Sequence, residues 1–123
     1  MARIAVVDDD PDVLDFMAAV LGQAGHDVVV ARDGLSTLAL VEQYNIDLMV
    51  LDILMPNRDG LETILTLRRD DKAFPILAIS AGGMLDGGYL LQTAKAFGAE
   101  ATLLKPFTAE KLTRQVESLL TPA

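Results

Sequence analysis

The stretch Leu48-Met49-Val50-Leu51-Asp52-Ile53-Leu54-Met55-Pro56 decides the fold, because its apolar run delivers one carboxylate to a proline-led turn. Four consecutive apolar residues without polar alternation suit a strand covered on both faces, as strands of parallel sheets are. Pro56, Asn57, Asp59 and Gly60 predict that the strand ends in a turn. Asp52 then stands at the carboxyl end of a buried strand, the edge at which open parallel sheets bind ligands. A lone aspartate at such a place would more simply cap a turn.

Four further runs have the same character. Arg3-Ile4-Ala5-Val6-Val7 leads into Asp8, Asp9 and Asp10, Val28-Val29-Val30-Ala31 into Asp33-Gly34, Ile76-Leu77-Ala78-Ile79 into Ser80, and Ala101-Thr102-Leu103-Leu104 into Lys105-Pro106. Helical patterns lie between them. Pro11 suits a first helical turn with Asp10 as N-cap, and that helix runs to about Ala24, with a wide stripe of Val13, Leu14, Phe16, Met17, Val20 and Leu21 and Gly25 closing it. The others run from about Leu35 to Tyr44, from about Leu61 to Asp70, through Leu90, Leu91, Ala94 and Phe97, and from Thr108 as N-cap through Leu112, Val116, Leu119 and Leu120. Five strands alternating with five helices predict an α/β fold: a doubly wound parallel sheet with helices on both faces and right-handed crossovers. His26, the only histidine, reads as a solvated loop residue.

A chain of 123 residues, 51% hydrophobic, makes one domain with a real core, and no linker or repeat divides residues 1–123. The formal charge of -8 argues against direct nucleic-acid binding through this domain, since phosphate contacts need clustered Lys and Arg. The absence of cysteine excludes disulfides and thiolate chemistry. No apolar run approaches the roughly 20 residues of a membrane span, so we expect no membrane insertion and a cytoplasmic protein. Met1, two residues before the first strand, fits a natural N-terminus, while Thr121-Pro122-Ala123 leaves the other end open.

Asp8/Asp9, Asp52, Ser80 and Lys105 end four of the five runs, all on one sheet edge. Carboxylates gathered there repel one another, and a hard divalent cation such as Mg²⁺ relieves this with one or two carboxylates, waters and phosphate oxygens. That points to a phosphate-bearing partner, toward which a carboxylate can act as a nucleophile and form an aspartyl phosphate. Lys105 would pair with one phosphoryl oxygen and the Ser80 hydroxyl would hydrogen-bond another.

With Val6-Val7-Asp8-Asp9, then Asp52-Ile53-Leu54-Met55-Pro56 and Gly60, then Ser80-Ala81, then Lys105-Pro106-Phe107, the chain resembles the receiver domains of two-component response regulators from about Arg3 to Leu120. The resemblance implies a flavodoxin-like sheet of strand order 2-1-3-4-5 and phosphorylation of Asp52 by a sensor histidine kinase or histidine phosphotransfer protein. It implies Mg²⁺ bound by Asp9 and Asp52, by Asp8 through water and by the backbone carbonyl of Leu54, and a Lys-Pro bond that is often cis. It implies a signalling domain that catalyses only its own phosphorylation and dephosphorylation, and a face of helix 4, strand 5 and helix 5 that signals and can form a homodimer.

Departures from the pattern shape the expectations. Thr102 stands where the family usually has an aromatic switch, Arg58 replaces an apolar residue, and about three extra residues fall in the Gly82 to Gly88 stretch. Leu54 and Gly82 hold the positions associated with phosphate lifetime. Two expectations stand side by side: residues 81–97 carry the activation change, or these glycines form only a tolerated surface insertion. A haloacid-dehalogenase-type phosphatase needs a second aspartate where Leu54 stands, and a nucleotide- or flavin-binding module would meet repulsion from Asp8 to Asp10. A purely structural interaction domain would not need the full set of polar groups.

Overall fold

Five parallel strands, β1 (Arg3–Val7), β2 (Asp27–Ala31), β3 (Leu48–Asp52), β4 (Ile76–Ala81) and β5 (Ala101–Lys105), form one sheet in the order β2-β1-β3-β4-β5. Five helices alternate with them: α1 (Pro11–Gln23), α2 (Gly34–Gln43), α3 (Asp59–Arg69), α4 (Asp86–Phe97) and α5 (Ala109–Leu120). The computed structural model describes residues 2–53, 59–81 and 86–121, and for residues 59 and 86–91 the backbone alone. The register sets Val6 beside Val30 and Val50, Asp52 beside Ile79 and Ala81 beside Lys105, so the carboxyl ends of all five strands lie along one edge.

Strand alternation divides the core into two layers. Ala5, Val7, Met49, Leu51, Ile76 and Ala78 pack against Leu40 and Val41 of α2, Leu61, Ile64 and Leu67 of α3 and Ala94 of α4. Ile4, Val6, Leu48, Val50, Leu77 and Ile79 pack against Leu14, Met17 and Leu21 of α1 and Leu112 and Val116 of α5. Every residue of β3 is buried, which is why its sequence shows no polar alternation. The α1 stripe is narrower than its sequence suggests: Phe16 is 42% exposed at the margin, its ring centroid 6.4 Å from that of Phe107. Leu65 of α3 is likewise exposed, because Leu61, Ile64 and Leu67 hold the inward face.

The helix starts follow their caps. Asp10, Asp33 and Thr108 accept from the backbone N–H groups of Asp12, Ser36 and Lys111, satisfying donors that a first turn leaves unpaired. The Ser36 bond holds the Asp33 carboxyl below its usual range. Gly25, with φ of 96°, takes the left-handed conformation that ends α1.

Two boundaries differ from expectation. Asp59 and Gly60 are the first turn of α3 rather than part of the preceding turn, and Gly87 and Gly88 lie within the first turn of α4 rather than in a loop. Both pairs read as turn formers locally, but docking of a whole helix overrides a local propensity. The expected turn at Pro56 and Asn57, the Arg58 substitution, and Gly82 and Gly83 lie outside the described residues.

His26 is not a solvated loop residue. Its side chain is only 8% exposed, its Nδ1 accepts from the Ala2 backbone N–H at 3.3 Å, and its Nε2 lies 3.0 Å from Glu117 Oε1. With Nδ1 accepting, Nε2 carries the ring proton and donates to Glu117, so one ring ties the start of β1 to α5. Arg68 acts similarly, donating to the carbonyls of Gly98, Lys72 and Phe74 and to Glu100.

Candidate functional site

The alternation that builds the core also chooses which edge residues meet. Asp8 continues β1 on the side of Ile4 and Val6, Asp52 ends β3 on the side of Leu48 and Val50, and Lys105 ends β5 on the side of Ala101 and Leu103. All three therefore project toward the α1 and α5 layer. The Asp8 N–H donates to the Ala31 carbonyl at 3.3 Å, extending the pairing of β1 with β2 by one residue and fixing the backbone from which the carboxylate leaves.

Carboxylate oxygens of Asp8, Asp9 and Asp52 lie within 4.8 Å of one another. Asp8 is fully buried, Asp52 is 3% exposed and Asp9 is partly exposed. Lys105 Nζ donates to Asp8 Oδ2 at 2.8 Å and to Asp52 Oδ2 at 3.1 Å, while Asp8 Oδ1 accepts from the Asp10 N–H at 2.9 Å. Burial by itself pushes the Lys105 ammonium down. The Asp8 hydrogen bond and the charges of Asp52 and Asp8 outweigh it, so Lys105 is held above its ordinary value. The bond between Lys105 and Pro106 is cis.

Among the described residues, the carboxylates of Asp8, Asp9 and Asp52 outnumber the one ammonium that faces them in a largely buried space, so the cluster fits a small divalent cation with oxygen ligands. Asp8, Asp9, Asp52 and Lys105, all expected from the sequence, are thus brought together. The Leu54 carbonyl lies outside the described residues. Ser80 shares the edge, and its hydroxyl is bonded to the neighbouring main chain rather than to the carboxylates. Alternation puts it on the side of Ile76 and Ala78, where it is fully buried and its hydroxyl donates to the Ala81 carbonyl at 3.3 Å.

One residue at this edge was not anticipated. Arg32 follows β2 directly, is exposed, and its Nη2 donates to the Asp9 carbonyl at 3.4 Å. The available signal was its place, since it is the polar residue ending the one strand whose terminus was read only as a turn.

A family model described as the response regulator receiver domain matches residues 4–117. The DNA-binding dual master transcriptional regulator RpaA of Synechocystis sp. is 36% identical over 124 residues, an alignment spanning 98% of this chain and 49% of RpaA. This chain spans about half the length of the curated relatives it matches. Among solved structures, the receiver domain of NtrX from Brucella abortus superposes with a TM-score of 0.88 at 31% identity, covering 98% of this chain and 99% of that one. The chemotaxis response regulator CheY4 of Vibrio cholerae superposes with a TM-score of 0.86 at 30% identity, covering 98% and 99%.

Proposed function

The chain belongs to the family of response regulator receiver domains, and from that premise we propose that residues 1–123 form one receiver domain that accepts a phosphoryl group on Asp52. The donor is a phosphohistidine on a sensor histidine kinase or a histidine phosphotransfer protein, and the setting is cytoplasmic. The observation that carries this reading is the packing of the Asp52 carboxylate against Asp8, Asp9 and the Lys105 ammonium at the carboxyl end of the central strand. Among the described residues no helix is long and apolar enough to cross a membrane.

In the transfer, a carboxylate oxygen of Asp52 bonds to phosphorus as the P–N bond of the donor breaks, and the departing imidazole nitrogen keeps the bonding pair and takes a proton. Lys105 pairs with one phosphoryl oxygen, and Ser80 hydrogen-bonds another once its hydroxyl leaves the Ala81 carbonyl. Asp9 and Asp52 would hold Mg²⁺ directly and Asp8 through water, with the Leu54 carbonyl as a further ligand. Bound there, Mg²⁺ supplies positive charge that offsets the carboxylates and the phosphoryl oxygens. The domain acts on no other substrate, and attack of water on the acyl phosphate returns free Asp52.

With Mg²⁺ and acetyl phosphate, intact-mass spectrometry should find one added phosphoryl group, absent in Asp52→Asn. Labelling that persists in that variant, or wild-type protein that labels with neither acetyl phosphate nor a kinase extract, would overturn the assignment.

The signal leaves through α4. Thr102 is half-buried on the α4 side of β5 and is too small to fill the space an aromatic switch would occupy. Phosphorylation adds about -1.5 to -2 charge, drawing Lys105 and Ser80 toward Asp52, and β4 leads from Ser80 toward α4. Gly87 and Gly88 stand in the first turn of α4 and favour a helix less than alanine would, which suits a change at this end of the helix. Hydrogen exchange with and without beryllofluoride should show added protection within residues 81–97. Protection gained around Thr102 alone would argue against this route and for the face of α4, β5 and α5, through which a homodimer would otherwise form.

A further inference from the structure

We infer that Arg32 is the residue that receives the anionic phosphoryl donor at the mouth of the site, an inference that rests on Asp52 being the phosphoacceptor. Among the described residues, two cations are hydrogen-bonded to the segments that carry the carboxylates. Lys105 enters from β5, is 17% exposed, and is already engaged by Asp8 and Asp52. Arg32 approaches from the other side, off the end of β2, and lies exposed against the Asp9 carbonyl.

The Arg32 bond is long, at 3.4 Å, and uses one of the five N–H donors of the guanidinium; among the described residues no other hydrogen bond or ion pair holds the side chain. The adjacent Asp33 carboxylate accepts from the Ser36 N–H as the cap of α2 and forms no ion pair with Arg32. A phosphoryl donor approaches a protein of formal charge -8 and a cluster in which, among the described residues, three carboxylates stand with one ammonium. Among the described residues at this edge, the cation it can engage without first breaking an ion pair is Arg32, whose planar fork matches two oxygens of a phosphoryl group. Lys105 then serves the transfer itself. Arg32 serves arrival, so its effect scales with the charge of the donor.

The test compares two small donors in Arg32→Gln, Arg32→Lys and wild-type protein. Acetyl phosphate is a dianion near neutral pH, and its P–O bond breaks as acetate leaves with the bonding pair. Phosphoramidate has a net charge of −1 because its protonated nitrogen offsets one of the two charges on its phosphoryl oxygens and repels a guanidinium, and its P–N bond breaks as ammonia leaves from that nitrogen. In Arg32→Gln, initial labelling of Asp52 at low donor concentration should fall about fivefold with acetyl phosphate and less than about twofold with phosphoramidate. Arg32→Lys should recover most of the loss, and Mg²⁺ affinity by calorimetry should match wild type. An equal loss with both donors, no loss, or an altered Mg²⁺ affinity would overturn the inference, the last making Arg32 a prop for the Asp9 loop. Binding is read separately from turnover. In Asp52→Asn, the unreactive dianion acetonylphosphonate should shift the Arg32 Nε–H resonance, and an unmoved resonance would overturn the inference even where wild-type labelling succeeds. Failure of wild-type protein to label would instead count against Asp52 as acceptor.

Discussion

Lys105→Met is expected to lower the melting temperature in Mg²⁺-free buffer by on the order of 10–20 °C. Removing one partner of a buried ion pair costs about 3–5 kcal/mol, because the remaining charge stays desolvated, and here two carboxylates lose the same cation. Mg²⁺ should stabilise the variant more than the wild type, since the metal takes over a role that the ammonium otherwise fills; by mass action, metal at 100 times its Kd contributes about 2.7 kcal/mol. The pH dependence has a definite sign. The Lys105 value is raised in the folded protein, so its stabilisation is fully present below about pH 10.5, the unfolded value, and is lost as pH rises through the higher folded value. The variant should lack that alkaline loss. Calorimetric scans with and without Mg²⁺ check both points, and an unchanged melting temperature without metal would mean that Lys105 does not balance these carboxylates.

Gly60→Ala is expected to destabilise the fold by about 2–3 kcal/mol, although alanine is the better helix former. A Cβ at Gly60 would lie 2.4 Å from Ile53 Cα and 2.6 Å from the Asp52 carbonyl oxygen, both main-chain atoms that cannot rotate away. The first turn of α3 is therefore pressed against the end of the strand that presents Asp52, and relief of the clash must move one or the other. Phosphorylation of Asp52 should slow along with the loss of stability. Gly22→Ala is the control: it lies inside α1 with nothing within 4 Å, and should stabilise by about 0.5–1 kcal/mol. Urea unfolding of the two variants tests the contrast, and Gly60→Ala at wild-type stability would refute the close approach.

What the sequence by itself determined are the features written in contiguous residues. Strands buried on both faces must be apolar throughout, so β1, β3 and β4 were legible, as was the polar group ending each. Asp10 and Thr108 were legible as caps because the N–H groups they satisfy are two or three residues away. Alternation of five strands with five helices sufficed for a parallel doubly wound sheet, while the order of its strands came with the family resemblance. The cluster of Asp8, Asp9, Asp52 and Lys105 followed from strand ends sharing an edge. Only the tertiary structure decided what depends on partners far along the chain. His26 pairs with Glu117, 91 residues on, and Arg68 binds Gly98, 30 residues on, so neither could be recognised from its neighbours. Gly60 reads as a turn residue until β3 is packed beneath it, and Arg32 as a surface charge until β2 is laid beside β1. The physical reason is common to these cases: a propensity or a cap is fixed by local backbone geometry, whereas steric exclusion and charge pairing are fixed by distances that exist only after the sheet has assembled.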